Sequence, residues 1–338
     1  MIISKSILVL CISILVTSCL VIILRPMAKK IGLVDKPSKR KTHSGNVPLI
    51  GGVCIFVGFF LSIFFEIKDD NVLIAILVGS FFILILGFID DCFPLPPLIK
   101  IVIQFVIVSL MVWYTGLKFD TFGHSFGLSK QISLGFFSYP FTILGIIFVA
   151  NAFNLMDGAD GVAGSLTIIA ILGINLTELI FSDFRIDIIT IALAGSLISF
   201  IWFNLQKSSK KIFLGDSGSL FLGYIIACLL LYQTKSNNSI SPTIAFWIIS
   251  IPIFDVMAVI VYRLKIMQPL FIADRSHLHH YLLRFGFKRY SVLFFIITLG
   301  ILFLFLGIII EYNTQFLSFP SFLLLLIFYI WIRVFSKL

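Results

Sequence analysis

The chain consists mostly of long, uninterrupted apolar stretches that are separated by short polar segments. Most stretches approach the roughly 20 residues that a helix needs to cross a bilayer, and their continuous apolar character argues against the alternating strands of a membrane β-barrel. The pattern therefore predicts an all-α membrane protein, formed as a single domain over residues 1–338. Eleven transmembrane helices are predicted, at 2–24, 49–66, 71–89, 98–114, 136–154, 163–181, 187–205, 214–234, 242–264, 291–311 and 316–335.

The composition supports a membrane environment. Hydrophobic residues make up 59% of the 338 residues and charged residues only 12%, whereas about a quarter of a soluble domain is charged. The first apolar stretch is too long for the core of a signal peptide and is followed by a basic loop, so we expect it to remain as a helix. We interpret Cys11, Cys54 and Cys228 as small residues of the membrane core rather than disulfide partners or zinc ligands.

The basic residues predict the orientation of the helices. If the loops after every odd-numbered span are grouped with the C-terminus, that side carries 19 of the 25 Lys and Arg residues. The other side carries Lys5, Lys68, Lys118, Lys130, Arg185 and Lys235. Because cytoplasmic loops are enriched in Lys and Arg, the first side is predicted to be cytoplasmic, which leaves the N-terminus periplasmic and the C-terminus cytoplasmic. The net charge of +9 is thus explained by topology, and no nucleic acid partner is expected.

Five aspartates lie at helix ends on the predicted cytoplasmic side. Asp90 and Asp91 stand in GFIDD, Asp157 and Asp160 in NAFNLMDGADG, and Asp216 in FLGDSGS. A single such Asp is most simply a helix cap or a turn residue, but five of them in three loops on one face predict a shared site. Carboxylates of this kind suit Mg²⁺, which points to phosphoryl transfer.

The segment ADRSHLHHYLLRFGF holds three of the five histidines of the chain. A zinc site is one interpretation, although no Cys lies nearby and the HEXXH pattern is absent. A donor-rich cradle for a pyrophosphate or a lipid phosphate explains the residues better, because Arg and His both donate to phosphate oxygens. An ordinary amphipathic loop remains an alternative.

Two further charges lie within or beside predicted spans. Lys100 begins the fourth span, where its ammonium would either reach back to the membrane surface or lie over a substrate phosphate. Asp255 lies inside the ninth span, and we interpret it as structural, with Arg263 or a residue of another helix as its partner.

Taken together, the motifs resemble a known family. In chain order they are GLVDKPSKRKTHSGNVPLIGG, GFIDD, NAFNLMDGADG, FLGDSGS, SPTIAFWIISIPIFD and DRSHLHH. This series resembles the polyprenyl-phosphate N-acetylhexosamine-1-phosphate transferase superfamily, and HLHH preceded by DR is most similar to its bacterial undecaprenyl-phosphate N-acetylglucosamine-1-phosphate transferase branch. The family has ten or eleven spans and a cytoplasmic active site, in agreement with the topology predicted above.

The resemblance implies a role for each matching position. Catalytic roles are implied for Asp90, Asp91 and His279, metal binding for Asp90 and Asp216, and substrate binding for Lys100, Asn154, Asp157, Asp160, Asn204, Arg275, His277 and His280. Among these, Asp160 is expected to contact the uracil. The implied cofactor is Mg²⁺ or Mn²⁺. Whether the acidic pair deprotonates the lipid phosphate or attacks as a nucleophile stays open.

The implied reaction moves N-acetylglucosamine-1-phosphate from its UDP-sugar to undecaprenyl phosphate at the bacterial inner membrane, which would initiate O-antigen or a related surface glycan. Another UDP-N-acetylhexosamine, of the fucosamine or quinovosamine type, is one alternative. A secondary transporter is another, but transporters place key charges near the bilayer midplane and often contain inverted repeats. The oligomeric state is open, with a homodimer among the alternatives.

Overall fold

The computed structural model describes residues 2–36, 45–67, 70–123, 125–127, 131–181, 188–206, 210–236, 241–269 and 276–335. Within these ranges the chain forms thirteen α-helices, one two-stranded antiparallel sheet and two short 3-10 turns. The helices are α1 (Ile2–Ile31), α2 (Gly51–Ile63), α3 (Asn71–Cys92), α4 (Pro97–Thr115), α5 (Ser138–Met156), α6 (Val162–Phe181), α7 (Ile188–Asn204), α8 (Gly215–Ser236), α9 (Ile244–Ile248), α10 (Ser250–Lys265), α11 (Leu278–Arg284), α12 (Arg289–Asn313) and α13 (Gln315–Phe335). The strands are β1 (Val34–Asp35) and β2 (Val47–Pro48), and the 3-10 turns are Ser125–Gly127 and Gly135–Phe137.

The predicted all-α membrane class is confirmed, because each predicted span contains a helix. Eight helices of the described ranges are long and apolar enough to cross a membrane, whereas α2 and α7 have only 13 and 17 residues. The predicted ninth span is divided at Ile249 into α9 and α10. The break precedes Pro252, which lacks an N–H and is best tolerated in the first turn of a helix. The number of spans therefore stays a prediction.

Contacts between helix termini show how the helices alternate in direction. At one end of the bundle, Lys100 at the start of α4 reaches Asp90 at the end of α3. At the other end, Tyr232 near the end of α8 donates to Asp70 ahead of α3 over 2.6 Å, and Lys5 pairs with Glu66. These contacts make α1 antiparallel to α2, and α3 antiparallel to α4 and α8, and they bring Asp90 and Lys100 to one end of the bundle. Which end faces the cytoplasm stays a prediction.

Helix α8 is the central element of the bundle. It packs against α2, α3 and α5, and most of its length is buried. Two glycines permit this packing: a Cβ added at Gly87 of α3 would lie 2.5 Å from Cα of Ser217, and one added at Gly52 of α2 would overlap the backbone of Gly218. Because backbone atoms cannot yield to such contacts, glycine at these two positions holds the start of α8 in place.

The outer surface is apolar. Helix α4 buries only Gln104, Val108, Met111 and Val112, whereas side chains such as Trp113 are largely exposed. This is the surface expected of a helix that faces lipid. All five cysteines are free; Cys54 and Cys228 are buried, and Cys11 lies exposed on α1.

Candidate functional site

A cavity of about 870 Å³ lies at the end of the bundle where α3 ends and α4 and α8 begin. The predicted site residues that line it are Asp90, Asp91, Lys100, Asp157, Asp160, Asn204, Asp216 and His280. Asn154 and His279 lie directly behind the wall, through Asp216 and Gly158 respectively, and His277, the residue that precedes α11, lies further back against Asp255 of α10. Arg275 lies outside the described residues. Motifs that are far apart in sequence therefore meet around one space.

The centre of the cavity is an ion cluster that joins three helices. The Nζ atom of Lys100 lies 2.6 Å from Oδ2 of Asp90 and 3.3 Å from Oδ2 of Asp216. The other oxygen of Asp90 accepts a hydrogen bond from the amide of Leu95, and Oδ1 of Asp216 accepts one from Nδ2 of Asn154. Asn154 thus positions Asp216, and one ammonium is shared by two carboxylates, so that the cluster has a net negative charge when both are ionised.

Asp91 has a different environment from that of its neighbour Asp90. Its two oxygens accept hydrogen bonds from the amides of Asp216, over 2.8 Å, and Ser217, over 3.1 Å. These amides are unpaired donors of the first turn of α8, where the helix dipole also favours an anion. Gly215 precedes them with a φ of +77°, and a Cβ there would lie 2.5 Å from Oδ2 of Asp91. Asp91 therefore caps α8 from α3, and its predicted catalytic role stays a prediction.

The donor chemistry of the cluster fits a hard divalent cation. No group of three or more His, Cys, Asp and Glu side chains within the described ranges is arranged to hold a metal. Mg²⁺, however, usually takes one or two carboxylates and completes its shell with water and substrate phosphate. Asp90 and Asp216 already share one cation, the Lys100 ammonium, so a metal held by these two carboxylates is compatible with the site.

One wall of the cavity is built around Asp160. Its Oδ2 lies 2.5 Å from Nζ of Lys211 and 3.7 Å from Nη1 of Arg289. Lys211 is buried and also lies over the ring of Phe213. From the sequence alone, Lys211 and Arg289 are explained only as topology-setting charges. For Lys211 a signal existed, since it stands in KKIFLGDSGS beside the aspartate motif.

Asn204 closes the base of this wall. Its Nδ2 donates to the carbonyl of Ile212 over 2.8 Å, while its Oδ1 is buried and has no hydrogen-bond partner in the described part of the chain. On the opposite side, burial and the carboxylates of Asp216 and Asp91 raise the pKa of Asp157 well above its ordinary value. The cavity therefore offers one free amide oxygen and one carboxyl group that a proton or cation would readily neutralise.

The three histidines of the predicted phosphate loop lie in three different environments. Only His280 lines the cavity, together with Arg284. The ring of His279 is buried against Gly158, where an added Cβ would overlap Nε2, and burial lowers the pKa of His279 to about 3. Its ring is thus neutral at ordinary pH, and its predicted catalytic role stays a prediction.

The third histidine, His277, lies 2.8 Å through Nδ1 from Oδ2 of Asp255. Asp255 is fully buried and also accepts the amide of Leu278 over 2.7 Å. Of the two partners predicted for Asp255, a residue outside its own helix is the one that the structure provides.

Comparison with known proteins finds relatives along most of the chain. A family model described as Glycosyl transferase family 4 matches residues 73–234, which include the ion cluster. The chain is 37% identical to the probable undecaprenyl-phosphate N-acetylglucosaminyl 1-phosphate transferase of Bacillus subtilis (strain 168), over 91% of this chain and 87% of that protein. It is 32% identical to the undecaprenyl-phosphate alpha-N-acetylglucosaminyl 1-phosphate transferase of Escherichia coli (strain K12), over 88% and 82% of the two chains.

A third relative is the protein of the same name from Salmonella typhimurium (strain LT2), which is 33% identical over 85% of this chain and 78% of its own. Identity at this level over most of both chains extends well beyond the site motifs. The protein described here therefore belongs to glycosyl transferase family 4, the family that its motifs resemble.

Proposed function

We propose that this protein transfers N-acetylglucosamine-1-phosphate from UDP-N-acetylglucosamine to undecaprenyl phosphate, giving undecaprenyl-pyrophosphoryl-N-acetylglucosamine and UMP. The observation that carries the proposal is the meeting of Asp90, Lys100 and Asp216 in one cavity at the end of a membrane bundle. Such a place is reachable both by a soluble nucleotide and by a lipid phosphate. The relatives from Bacillus subtilis and Escherichia coli are named for this class of reaction.

The cluster would act on the two anionic groups that must meet. Lys100 provides a positive charge for a phosphate oxygen. Asp90 beside it either accepts the proton of the lipid phosphate, which then displaces UMP from the donor, or itself displaces UMP as a nucleophile and is in turn displaced by the lipid phosphate. Asn154 keeps Asp216 oriented. A Mg²⁺ or Mn²⁺ ion held by Asp90 and Asp216 would supply neutralisation of the charge that develops on the donor pyrophosphate.

The wall around Asp160 is proposed to bind the nucleotide. Asp160 is fixed by Lys211 and Arg289, which leaves its carboxylate oriented toward a uracil N–H donor as the family resemblance implies. The unpartnered Oδ1 of Asn204 is a second buried acceptor on this wall. Arg284 and His280 of α11 also line the cavity and would contact the phosphates.

We further propose that the cavity faces the cytoplasm, because the predicted topology assigns 19 of the 25 basic residues to the loops and the C-terminus of that end. In a bacterial inner membrane the product would initiate O-antigen or a related surface glycan. A UDP-N-acetylhexosamine of the fucosamine or quinovosamine type is the alternative donor with the same chemistry.

The test is a transfer assay with detergent-purified protein. Radiolabelled UDP-N-acetylglucosamine, undecaprenyl phosphate and Mg²⁺ are incubated together, and label entering the organic phase is measured alongside UMP. We expect labelled lipid from the wild type, and we expect EDTA, Asp90→Asn and Asp216→Asn to reduce it by about 100-fold or more. Asp120→Asn, in an exposed pair with Lys118, is the matched control and should retain activity.

The donor is tested in the same assay by replacing UDP-N-acetylglucosamine with other UDP-N-acetylhexosamines. Transfer from one of these, with none from UDP-N-acetylglucosamine, would reject the proposed sugar and keep the reaction. Absence of transfer from every donor, with folded protein, would reject the proposed function.

A further inference from the structure

We infer that Arg333 and Asp255 form a buried brace that positions α11 against the cavity, so that Arg333, at the end of the last helix, is a positioning residue for donor binding. The inference rests on the proposed function for its substrate but not for its geometry. None of the sequence motifs includes Arg333, which the sequence explained only as a cytoplasmic charge.

The brace holds the start of α11 through three consecutive residues. Asp255 of α10 contacts the imidazole of His277 and accepts the amide of Leu278. Nη2 of Arg333 donates to the carbonyl of Ser276 over 2.7 Å. The preceding carbonyl, the cap residue and the first helical amide are therefore all fixed by side chains from α10 and α13.

The two charged groups of the brace form an ion pair that is largely excluded from water. Nη2 of Arg333 lies 3.7 Å from Oδ1 of Asp255, and the exposed fractions of these side chains are 7% and 0%. The guanidinium also lies over the ring of Tyr281, with 4.2 Å between its carbon and the ring centroid. A planar guanidinium can stack and donate at once, which an ammonium cannot do in the same way.

The position of α11 in turn determines one side of the cavity. Its first turn places His279 against Gly158, within the loop that carries Asp157 and Asp160. The same helix presents His280 and Arg284 to the cavity. A displaced α11 would therefore disturb the donor side, whereas Asp90, Lys100 and Asp216 are carried by α3, α4 and α8, and none of the hydrogen bonds and ion pairs of their cluster involves the brace.

Arg333→Lys tests the brace, because it keeps the positive charge beside Asp255 and should fold. We expect the KM for UDP-N-acetylglucosamine to rise about 5- to 20-fold, with kcat lowered less than threefold, and Arg333→Ala to show a larger rise. General destabilisation would instead reduce the amount of active enzyme and leave KM unchanged. An unchanged donor KM in Arg333→Lys would overturn the positioning role even if Arg333→Ala fails to fold.

Lys265→Ala is the matched control. Lys265 also joins α10 to α13, through the carbonyl of Val334 at 2.9 Å and the ring of Phe335, and neither of these contacts involves α11. We expect its donor KM to equal that of the wild type. An equal rise in both variants would show that α13 docking in general, rather than the brace, affects the donor, and would overturn the inference.

Hydrogen exchange of the α11 amides tests the brace without any substrate. Exchange over 278–284 should be faster in Arg333→Lys and unchanged in Lys265→Ala. Faster exchange with no transfer by any form of the protein would reject the proposed function and retain the brace. Unchanged exchange in Arg333→Lys would reject the brace, whatever the activity of the wild type.

Discussion

At the scale of single residues, adjacent side chains of the same type have different environments because they contact different partners. Asp90 and Asp91 are adjacent in sequence, yet one pairs with the ammonium of Lys100 and the other accepts two backbone amides. His279 and His280 are adjacent as well, yet the first is buried and neutral and the second lines the cavity. The chemistry available to each side chain thus follows from its contacts rather than from its type.

The ammonium shared by Asp90 and Asp216 leads to a prediction about Lys100→Met. Two carboxylates would then lie together without a cation, so we expect this variant to unfold at a temperature a few degrees lower in EDTA, equivalent to about 1–3 kcal/mol. Mg²⁺ should raise its melting temperature more than that of the wild type, because the ion no longer competes with the ammonium. Thermal unfolding of purified protein, with and without Mg²⁺, measures both effects.

Lys118→Met is the control for this experiment. Lys118 forms an exposed pair with Asp120 at 3.0 Å, and such pairs contribute little to stability. Its melting temperature and its response to Mg²⁺ should match those of the wild type. An identical Mg²⁺ response in Lys100→Met and the wild type would argue against cation binding between Asp90 and Asp216.

At the scale of elements, the start of α8 is held by groups from two other helices. Gly52 and Gly87 allow α2 and α3 to approach the backbone of α8. Asp91 accepts hydrogen bonds from two amides in the first turn of α8. The first turn of α8 also carries Asp216, which belongs to the ion cluster. Packing of these helices therefore sets the geometry of the cluster.

We predict that Asp91→Asn destabilises the protein by about 1–3 kcal/mol and reduces transfer as well. Each oxygen of Asp91 accepts one amide, and an asparagine can replace only one of these acceptors while its NH₂ faces the other amide. The melting temperature and the transfer rate measure the two effects. A normal melting temperature with lost transfer would show that Asp91 acts in the reaction without stabilising α8.

Asp70→Asn is a matched control at the other end of the bundle. Asp70 also caps a helix, but a single oxygen accepts both the Val72 and the Leu73 amides. An asparagine retains that oxygen and is itself a favourable cap residue. The other oxygen accepts the hydroxyl of Tyr232, and because a hydroxyl also accepts, it can pair with the NH₂ of an asparagine instead. We therefore expect a smaller change in melting temperature than in Asp91→Asn, and unchanged transfer.

At the scale of the whole molecule, the predicted distribution of basic residues agrees with the location of the cavity. By the predicted topology, the bundle end that holds the cavity is also the end to which most of the Lys and Arg residues belong. An enzyme that joins a soluble nucleotide sugar to a membrane lipid needs its reactive groups at such a boundary. The orientation of the bundle is therefore part of the proposed function.

Orientation is tested by labelling introduced cysteines in intact cells with a membrane-impermeant maleimide. Lys288→Cys, exposed at the cavity end, should react only after the cells are permeabilised, whereas Lys118→Cys should react in intact cells. The parent protein provides the background from its own cysteines. Labelling of Lys288→Cys in intact cells would contradict the predicted orientation.

The sequence by itself determined the class of the fold and most members of the candidate site. Long continuous apolar stretches have one solution in lipid, which is the helix, because every backbone polar group must be satisfied within the segment. The aspartates of GFIDD, NAFNLMDGADG and FLGDSGS stand at the ends of such stretches, so their common location followed from the alternation of the helices.

Only the tertiary structure decided the environment and the contacts of each of those residues. The capping role of Asp91, the burial of His279 and the contribution of Lys211 and Arg289 depend on which helices meet. The break between α9 and α10 and the contact of Arg333 with the start of α11 are equally absent from the local pattern. Local periodicity predicts helices, whereas these contacts join residues that are distant in sequence and arise only when the helices pack.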